Sequence, residues 1–138
     1  MIKKFKDFFN KHTLRYEQEV PKTQKELDLY MLTAIDDDSY ESFVDAIERG
    51  ADINRSVDTG KGYLIDALTS CVMLSRIKML KYLINKGVDI FNNNNYNYIM
   101  KMMIDKKDRK EIFNVISKKY PNFEEELAIR KDAKKYNL

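Results

Sequence analysis

Few of the side chains that carry out enzymatic chemistry stand in a pattern that would let them work together. The chain has one histidine, His12, and one cysteine, Cys71, far apart in the sequence. A nucleophilic cysteine needs a basic group beside it, whereas Cys71 begins an apolar run that ends at Leu74. Nothing in the sequence marks the carboxylates of Asp36 and Asp66 as a catalytic pair. We therefore expect no enzyme.

Two short motifs suggest ion or phosphate binding but lack the residues that complete such a site. The three aspartates Asp36–Asp38 are followed by neither the central glycine nor the bidentate glutamate of a calcium loop. Asp38 and Glu41 have the spacing of a capping box, which predicts that Asp38 opens a helix. Gly60-Lys-Gly62 lacks the upstream glycine and the following Ser or Thr of a phosphate loop. We predict no metal, no cofactor and no small-molecule substrate.

The composition limits the fold class. The 138 residues are 43% hydrophobic, enough for one domain with its own core. Four glycines and two prolines are few for a β protein with many tight turns. The 25 basic and 22 acidic residues are too balanced to indicate a nucleic-acid partner by themselves. No stretch resembles a signal peptide or a bilayer span, and a lone cysteine fits a reducing compartment, so we expect a cytoplasmic protein without membrane insertion.

Apolar residues recur at helical spacing along most of the chain. A first segment, residues 2–14, carries Phe5 and Phe9 on one face and ends before Pro21. Thr23 and Glu26 have capping-box spacing and predict the start of the next helix. Further helices are expected over residues 40–49, 63–72, 77–84, 98–104 and 111–116, and a last one begins at Asn122.

Two of these helices end in the same short motif. Gly50-Ala-Asp-Ile53 follows one helix, and Gly87-Val-Asp-Ile90 follows another 37 residues later. Glycine suits the position just after a helix, where the chain takes a positive φ that a Cβ resists. A motif that recurs at this distance predicts stacked units of helix, turn, helix and projecting finger. Residues 54–62 would form the first finger, as an exposed turn or short hairpin, and residues 91–97 a shorter second one.

These motifs resemble the ankyrin repeat, whose consensus opens with Gly-x-Thr-Pro-Leu-His-x-Ala and ends with Gly-Ala-Asp-Val-Asn. Gly60, Leu64 and Ala67 match the opening, although other residues replace its Thr-Pro and His. The segment Gly50–Asn54 matches the ending closely. Between Ala67 and Gly87 the chain has four residues more than the family pattern, which predicts a longer inner helix or a longer loop between helices.

The resemblance covers residues 27–120 and implies an all-α, ankyrin-like stack of about three helix-turn-helix repeats, the third degenerate. We predict one domain over residues 1–138, with an N-terminal helical segment over 1–22, the repeats over 23–120 and a C-terminal capping helix over 121–138. The two flanking helices would cover the apolar ends of the stack. The aromatic N-terminal face (Phe5, Phe8 and Phe9) is an alternative binding surface if it does not cover the core.

Ankyrin repeats are protein-recognition scaffolds, so the resemblance implies a non-catalytic module that binds another protein, as a small adaptor or a stoichiometric inhibitor. The heavy use of Lys and Asn, including Asn92–Asn95, indicates AT-rich coding and favours a viral, phage or bacterial factor that acts on a host or toxin protein. In the family, the finger tips and the inner helices contact the partner. By this resemblance we assign the same role to ten residues of this chain. They are Arg55, Ser56, Asp58, Lys61, Tyr63, Asp66, Ser70, Asn93, Asn94 and Tyr96.

A basic C-terminal region supports an alternative function, nucleic-acid binding through the last helix. Binding to nucleic acid needs basic residues gathered with aromatic ones. The acidic run Glu124–Glu126 lies among these residues and cancels much of their field, so this hypothesis ranks second. The candidate residues are Lys118, Lys119, Lys131, Lys134, Lys135 and Tyr136.

Overall fold

The computed structural model describes residues 23–58, 64–91, 93–105 and 109–135. Within these ranges the chain forms seven α-helices and a single antiparallel pair of short strands, so the all-α prediction is confirmed. The predicted N-terminal helical segment, with Phe5, Phe8, Phe9 and His12, lies outside the described residues. In chain order the elements are α1 (Gln24–Asp36), α2 (Tyr40–Glu48), β1 (Val57–Asp58), β2 (Leu64–Ile65), α3 (Ala67–Met73), α4 (Ile77–Asn85), α5 (Asn93–Asp105), α6 (Lys110–Lys119) and α7 (Asn122–Lys135).

The caps of the first two helices match one prediction and correct another. Thr23 opens α1 as predicted, because its Oγ1 accepts a hydrogen bond from the Glu26 N–H at 3.1 Å. Asp38 does not open α2. Its φ is 58°, a left-handed conformation that aspartate tolerates better than most residues, and the extended N-cap position falls to Ser39.

The helix predicted over residues 63–72 begins later, at Ala67. Ile65 pairs instead with Val57 in the antiparallel strands, and Asp66 is the N-cap of α3. The prediction of a longer inner helix or loop is wrong, because α3 has 7 residues against 13 in α1, and the turn between the helices covers three residues in both pairs, 37–39 and 74–76.

The two helix pairs have the same turn between their helices, at an offset of 37 residues. The Ser39 N–H donates to the Ala34 carbonyl at 2.9 Å, and the Arg76 N–H donates to the Cys71 carbonyl at 2.8 Å. The residue before each donor has a positive φ, 58° in the first turn and 57° in the second. The backbone thus repeats although the side chains at these positions differ.

The ends of the helix pairs repeat in the same way. Gly50 has a φ of 111° and Gly87 a φ of 85°, the positive values that the glycine motif predicts. Two residues beyond each glycine, an aspartate side chain accepts a hydrogen bond from a main-chain N–H, at 2.9 Å for Asp52 and at 3.0 Å for Asp89. Each aspartate therefore fixes the chain as it leaves the helix.

The third unit departs from the predicted pattern at its finger. The helix α5 begins at Asn93, so residues 93–97 are helical and the finger predicted over 91–97 is wrong. Ile90 is 1% exposed and ties the preceding segment to the core, and Asn95 is buried within α5. Asn93, Asn94 and Asn95 thus lie in the first turn of a helix.

The helices lie in two rows that share one core. In the first row α1 contacts α3 and α3 contacts α5, and in the second row α2 contacts α4 and α4 contacts α6. The last helix, α7, contacts both α5 and α6 and buries Phe123 and Leu127 against them. It therefore covers the end of both rows, as a capping helix should.

Two arginines join consecutive units. Arg76, just before α4, donates from Nε to the Ile35 carbonyl at 2.9 Å and from Nη2 to the Asp36 carbonyl at 2.8 Å. Arg109, just before α6, donates from Nη1 to the carbonyl of Val72, which lies 37 residues after Ile35. Each guanidinium thus donates to carbonyls at the C-terminal end of the first-row helix in the preceding unit.

Candidate protein-binding surface

The strand pair presents one buried face and one exposed face. Val57 and Ile65 stand opposite each other and are 7% and 6% exposed, so they attach the strands to the core. Asp58 and Leu64 form the next opposed pair, and the Leu64 side chain is 63% exposed. The alternation of a strand explains both faces, because successive side chains point to opposite sides.

A buried carboxylate fixes the base of this strand pair. Asp28, 1% exposed on α1, accepts hydrogen bonds at Oδ1 from the Asp52 N–H at 2.7 Å and from Gln24 Nε2 at 2.9 Å. Its Oδ2 lies 3.7 Å from Arg55 Nη1. Arg55, a predicted binding residue, therefore also balances a buried charge, and its replacement would disturb the fold as well as the surface.

A second contact joins the start of this finger to the following helix pair. Asn54 accepts at Oδ1 a hydrogen bond from the Asp89 N–H at 2.8 Å. The strand pair is thus held from two sides, by α1 through Asp28 and by the segment after α4 through Asn54. Sequence reasoning missed Asp28, whose only signal is an acidic residue beside the apolar stripe of a helix.

The exposed predicted residues gather on the strand pair and the segment before it. Arg55, Ser56 and Asp58 are exposed, and Asp58 stands opposite Leu64, which sequence reasoning did not assign to the surface. Lys61 and Tyr63, between the strands, lie outside the described residues. We call Arg55, Ser56, Asp58 and Leu64 the strand-pair surface.

Two predicted binding residues are buried, so their predicted exposure is wrong. Asp66 is 5% exposed because it caps α3, accepting at Oδ1 from the Thr69 N–H and hydroxyl, both at 2.8 Å. Ser70 is 2% exposed because it lies one turn further on, on the side of α3 that faces the core. Both belong to the framework that positions the strands.

The three predicted residues of the second finger lie on α5. Asn93 and Asn94 are in its first turn, and the structure describes their backbone alone. Tyr96 is partly buried in an aromatic group, with ring centroids 5.5 Å from Phe91 and 6.3 Å from Phe123, and with the Arg130 guanidinium 5.3 Å from its ring. Its partial burial raises the pKa of the Tyr96 phenol; the Glu126 carboxylate raises it further and Arg130 lowers it.

The basic residues of the alternative hypothesis are divided between two helices. Lys118 and Lys119 end α6, while Lys131, Lys134 and Lys135 lie on α7. Lys119 Nζ donates to the Ile84 carbonyl at 2.8 Å. On α7, Arg130 pairs with Glu126 at 2.9 Å, which neutralises one of the basic side chains next to this group. Tyr136 lies outside the described residues.

Across residues 23–58, 64–91, 93–105 and 109–135, no group of three His, Cys, Asp or Glu side chains is placed to hold a metal ion. None of the helices described is both long enough and apolar enough to cross a membrane. Cys71 is fully buried, and burial raises the pKa of its thiol.

The chain was compared with known proteins at three levels. No protein-family model, no curated protein and no solved structure matches it.

Proposed function

We propose that this protein is a non-catalytic protein-binding module, a short ankyrin-type stack that contacts its partner through the strand-pair surface. The observation that carries this proposal is the exposure of Leu64, 63%, opposite Asp58 on strands whose other face is anchored in the core. The fixed backbone holds this apolar side chain away from the core. Its burial against a partner would remove apolar surface from water and so favour binding.

The surroundings of Leu64 have the composition of a small binding surface. Asp58 stands opposite Leu64, and Arg55 and Ser56 are exposed on the segment that leads into β1. Binding surfaces commonly place an apolar anchor within a polar rim, because the rim excludes water and selects the partner by charge. Here the rim carries both signs of charge, which favours a protein with a mixed polar surface around an apolar pocket.

The fixed base of the strands supports the same function. The contacts of Asp28 and Asn54 tie this segment to two helix units, so it loses little conformational freedom on binding. A small stack that presents one preorganised projection would act as an adaptor or a stoichiometric inhibitor of its partner. We extend the proposal to a viral, phage or bacterial factor that acts on a host or toxin protein, following the ankyrin resemblance and the Lys- and Asn-rich coding.

The proposal is tested by comparing what three forms of the protein retain from nuclease-treated extract of the native host. The forms are the natural protein, Leu64→Asp and Ile129→Asp; Ile129 is a matched control, a large apolar residue on α7 that is 56% exposed. We expect a protein that the natural form and Ile129→Asp retain and Leu64→Asp loses. The proposal is wrong if Leu64→Asp, folded by circular dichroism, retains every partner of the natural form, or if the natural form retains nucleic acid from untreated extract and no protein after nuclease treatment.

A further inference from the structure

A groove lies between two helices of the second row, α4 and α6, and it uses none of the residues of the strand-pair surface. Its volume is about 620 Å³. The residues that face it from α4 include Ile77, Lys81 and Ile84, spaced as i, i+4 and i+7. Those from α6 include Glu111, Val115 and Lys118, again at i, i+4 and i+7. Each helix thus contributes one continuous face.

The two helices that form the groove run in the same direction. Near their C-terminal ends, Lys119 Nζ donates to the Ile84 carbonyl at 2.8 Å. Near their starts, Arg109 Nη1 lies 3.3 Å from the Ser75 hydroxyl. Side-chain ridges of neighbouring helices leave grooves between them, into which the ridge of a third helix can pack.

The floor of the groove is apolar. Ile77 and Val115 are partly buried, and Ile84 is 3% exposed. The lining residues of α4 extend from Ile77 to Asn85, a length of about 12 Å at 1.5 Å per residue. This length corresponds to about two turns of a bound helix, with apolar side chains directed onto the floor.

The side chains that line the groove carry more positive than negative charge. Lys81 and Lys118 are exposed at its edge, and neither forms an ion pair within the described ranges. Glu111 is the one acidic residue among the described residues that line it. Because the lysines are not neutralised by neighbours, an acidic ligand would gain their attraction without breaking an existing pair.

We propose that this groove binds an acidic amphipathic helix of a partner protein. The apolar stripe of that helix contacts Ile77, Ile84 and Val115, and carboxylates flanking the stripe pair with Lys81 and Lys118. The apolar floor favours a helix, and the two lysines select its charge. The groove is a second contact surface, and its occupation does not depend on the strand-pair surface.

The direct test uses a fluorescent model peptide of about four helical turns, with leucines on one face and glutamates beside them. A matched peptide carries lysine at every glutamate position. By fluorescence anisotropy at low ionic strength we expect the acidic peptide to bind about tenfold more tightly than the basic one. Methyl resonances of Ile77, Ile84 and Val115 should shift on addition of the acidic peptide. Absence of binding, equal binding of both peptides or unshifted floor methyls would overturn the proposal.

Substitutions separate this groove from other basic parts of the surface. The double variant Lys81→Glu with Lys118→Glu should weaken binding of the acidic peptide about tenfold, because two attractive pairs become repulsive. The control Lys131→Glu, an exposed lysine on α7, should change it less than about twofold. Equal effects of the two variants would contradict the assignment.

Two further outcomes concern the occupant and the location. If the natural protein dimerises in sedimentation equilibrium and Val115→Asp makes it monomeric, the occupant is a second copy and an acidic partner helix is wrong. Leu64→Asp should leave peptide binding unchanged. Loss of peptide binding in that variant would place the peptide on the strand-pair surface and overturn the proposal that the groove binds it. Loss of the captured protein without loss of peptide binding concerns only the function proposed above.

Discussion

The Arg76 side chain donates from Nε to the main-chain carbonyl of Ile35 at 2.9 Å, across 41 positions of the chain. Arg76 precedes α4, and Ile35 lies at the end of α1, so the bond joins two consecutive helix pairs. Arg109 repeats the contact one unit later at Val72. The stack is therefore held by side-chain bonds to helix ends as well as by its apolar core.

Replacement of Arg76 by methionine should lower the free energy of unfolding by about 2 kcal/mol, because a charged donor to two partly buried carbonyls is lost. The control is Arg49→Met, which removes an exposed ion pair with Asp45 on a single helix and should cost less than about 0.5 kcal/mol. Urea unfolding followed by circular dichroism measures both. Equal losses in the two variants would show that the bonds between units contribute nothing beyond an ordinary surface arginine.

The glycine at the end of α4 provides a test of backbone conformation that is free of steric contacts. Gly87 has a φ of 85°, and a Cβ added there meets no atom within 4 Å. Gly87→Ala should therefore destabilise the protein by about 1 kcal/mol from backbone strain alone. Gly87→Asn should cost less, since asparagine enters the left-handed region more readily. An alanine variant as stable as the natural protein in urea would contradict the observed φ.

The sequence predicted the parts of the fold that depend on local chemistry. The hydroxyl of Thr23 caps a helix from its own position, and the glycines Gly50 and Gly87 end helices because no other residue takes a positive φ so easily. Helical spacing of apolar residues likewise predicted the helical fold class. These signals are contained within a few residues, so one sequence is enough to detect them.

The incorrect predictions arose where distant contacts decide the local structure. Leu64 and Ile65 fit an apolar helical pattern, but pairing of Ile65 with Val57 makes them a strand and delays the helix to Ala67. The same contact leaves Leu64 exposed, which apolar periodicity alone would never indicate. Asp28 was missed for a related reason. Its hydrogen-bond partner Asp52 is 24 residues away, and no residue near Asp28 in the sequence indicates that contact.

The cap formed by α7 can be tested at one residue. Phe123 is 1% exposed, and its ring centroid lies 6.0 Å from that of Phe113 and 6.3 Å from that of Tyr96. Phe123→Ala should lower the free energy of unfolding by about 3 kcal/mol, because it leaves a cavity between α7 and both helix rows. Ile129→Ala on the same helix, 56% exposed, should cost less than about 0.5 kcal/mol. Similar losses would mean that α7 does not cover the core.

Because the thiol of Cys71 is buried, we expect thiol reagents to label it slowly in the folded protein. Burial raises the pKa of Cys71; the charge of Arg76 opposes this shift and that of Asp66 adds to it. The unfolded chain loses the thiol proton as pH rises through about 8.5, whereas the folded chain keeps it, so this group disfavours the folded state increasingly above that pH. At pH 8.5 a disulfide reagent should label the native protein only as fast as the protein opens, and at once in concentrated urea.

The control for this labelling is an exposed cysteine in the same protein. Ser56→Cys in a Cys71→Ala background places a thiol on the strand-pair surface, where Ser56 is exposed. It should react rapidly under native conditions. If Cys71 in the natural protein reacts as fast as this exposed thiol, the described burial of α3 is incorrect.

The central claim, that the strand-pair surface binds a protein, is tested most directly by the affinity of the captured partner for Leu64→Asp. Calorimetric titration should give a Kd at least about tenfold weaker for Leu64→Asp than for the natural protein, because a charged group replaces an apolar anchor at the contact. For Ile129→Asp the Kd should stay within about twofold, and both variants should remain folded by circular dichroism. An unchanged Kd for Leu64→Asp would contradict the claim and place the binding site elsewhere.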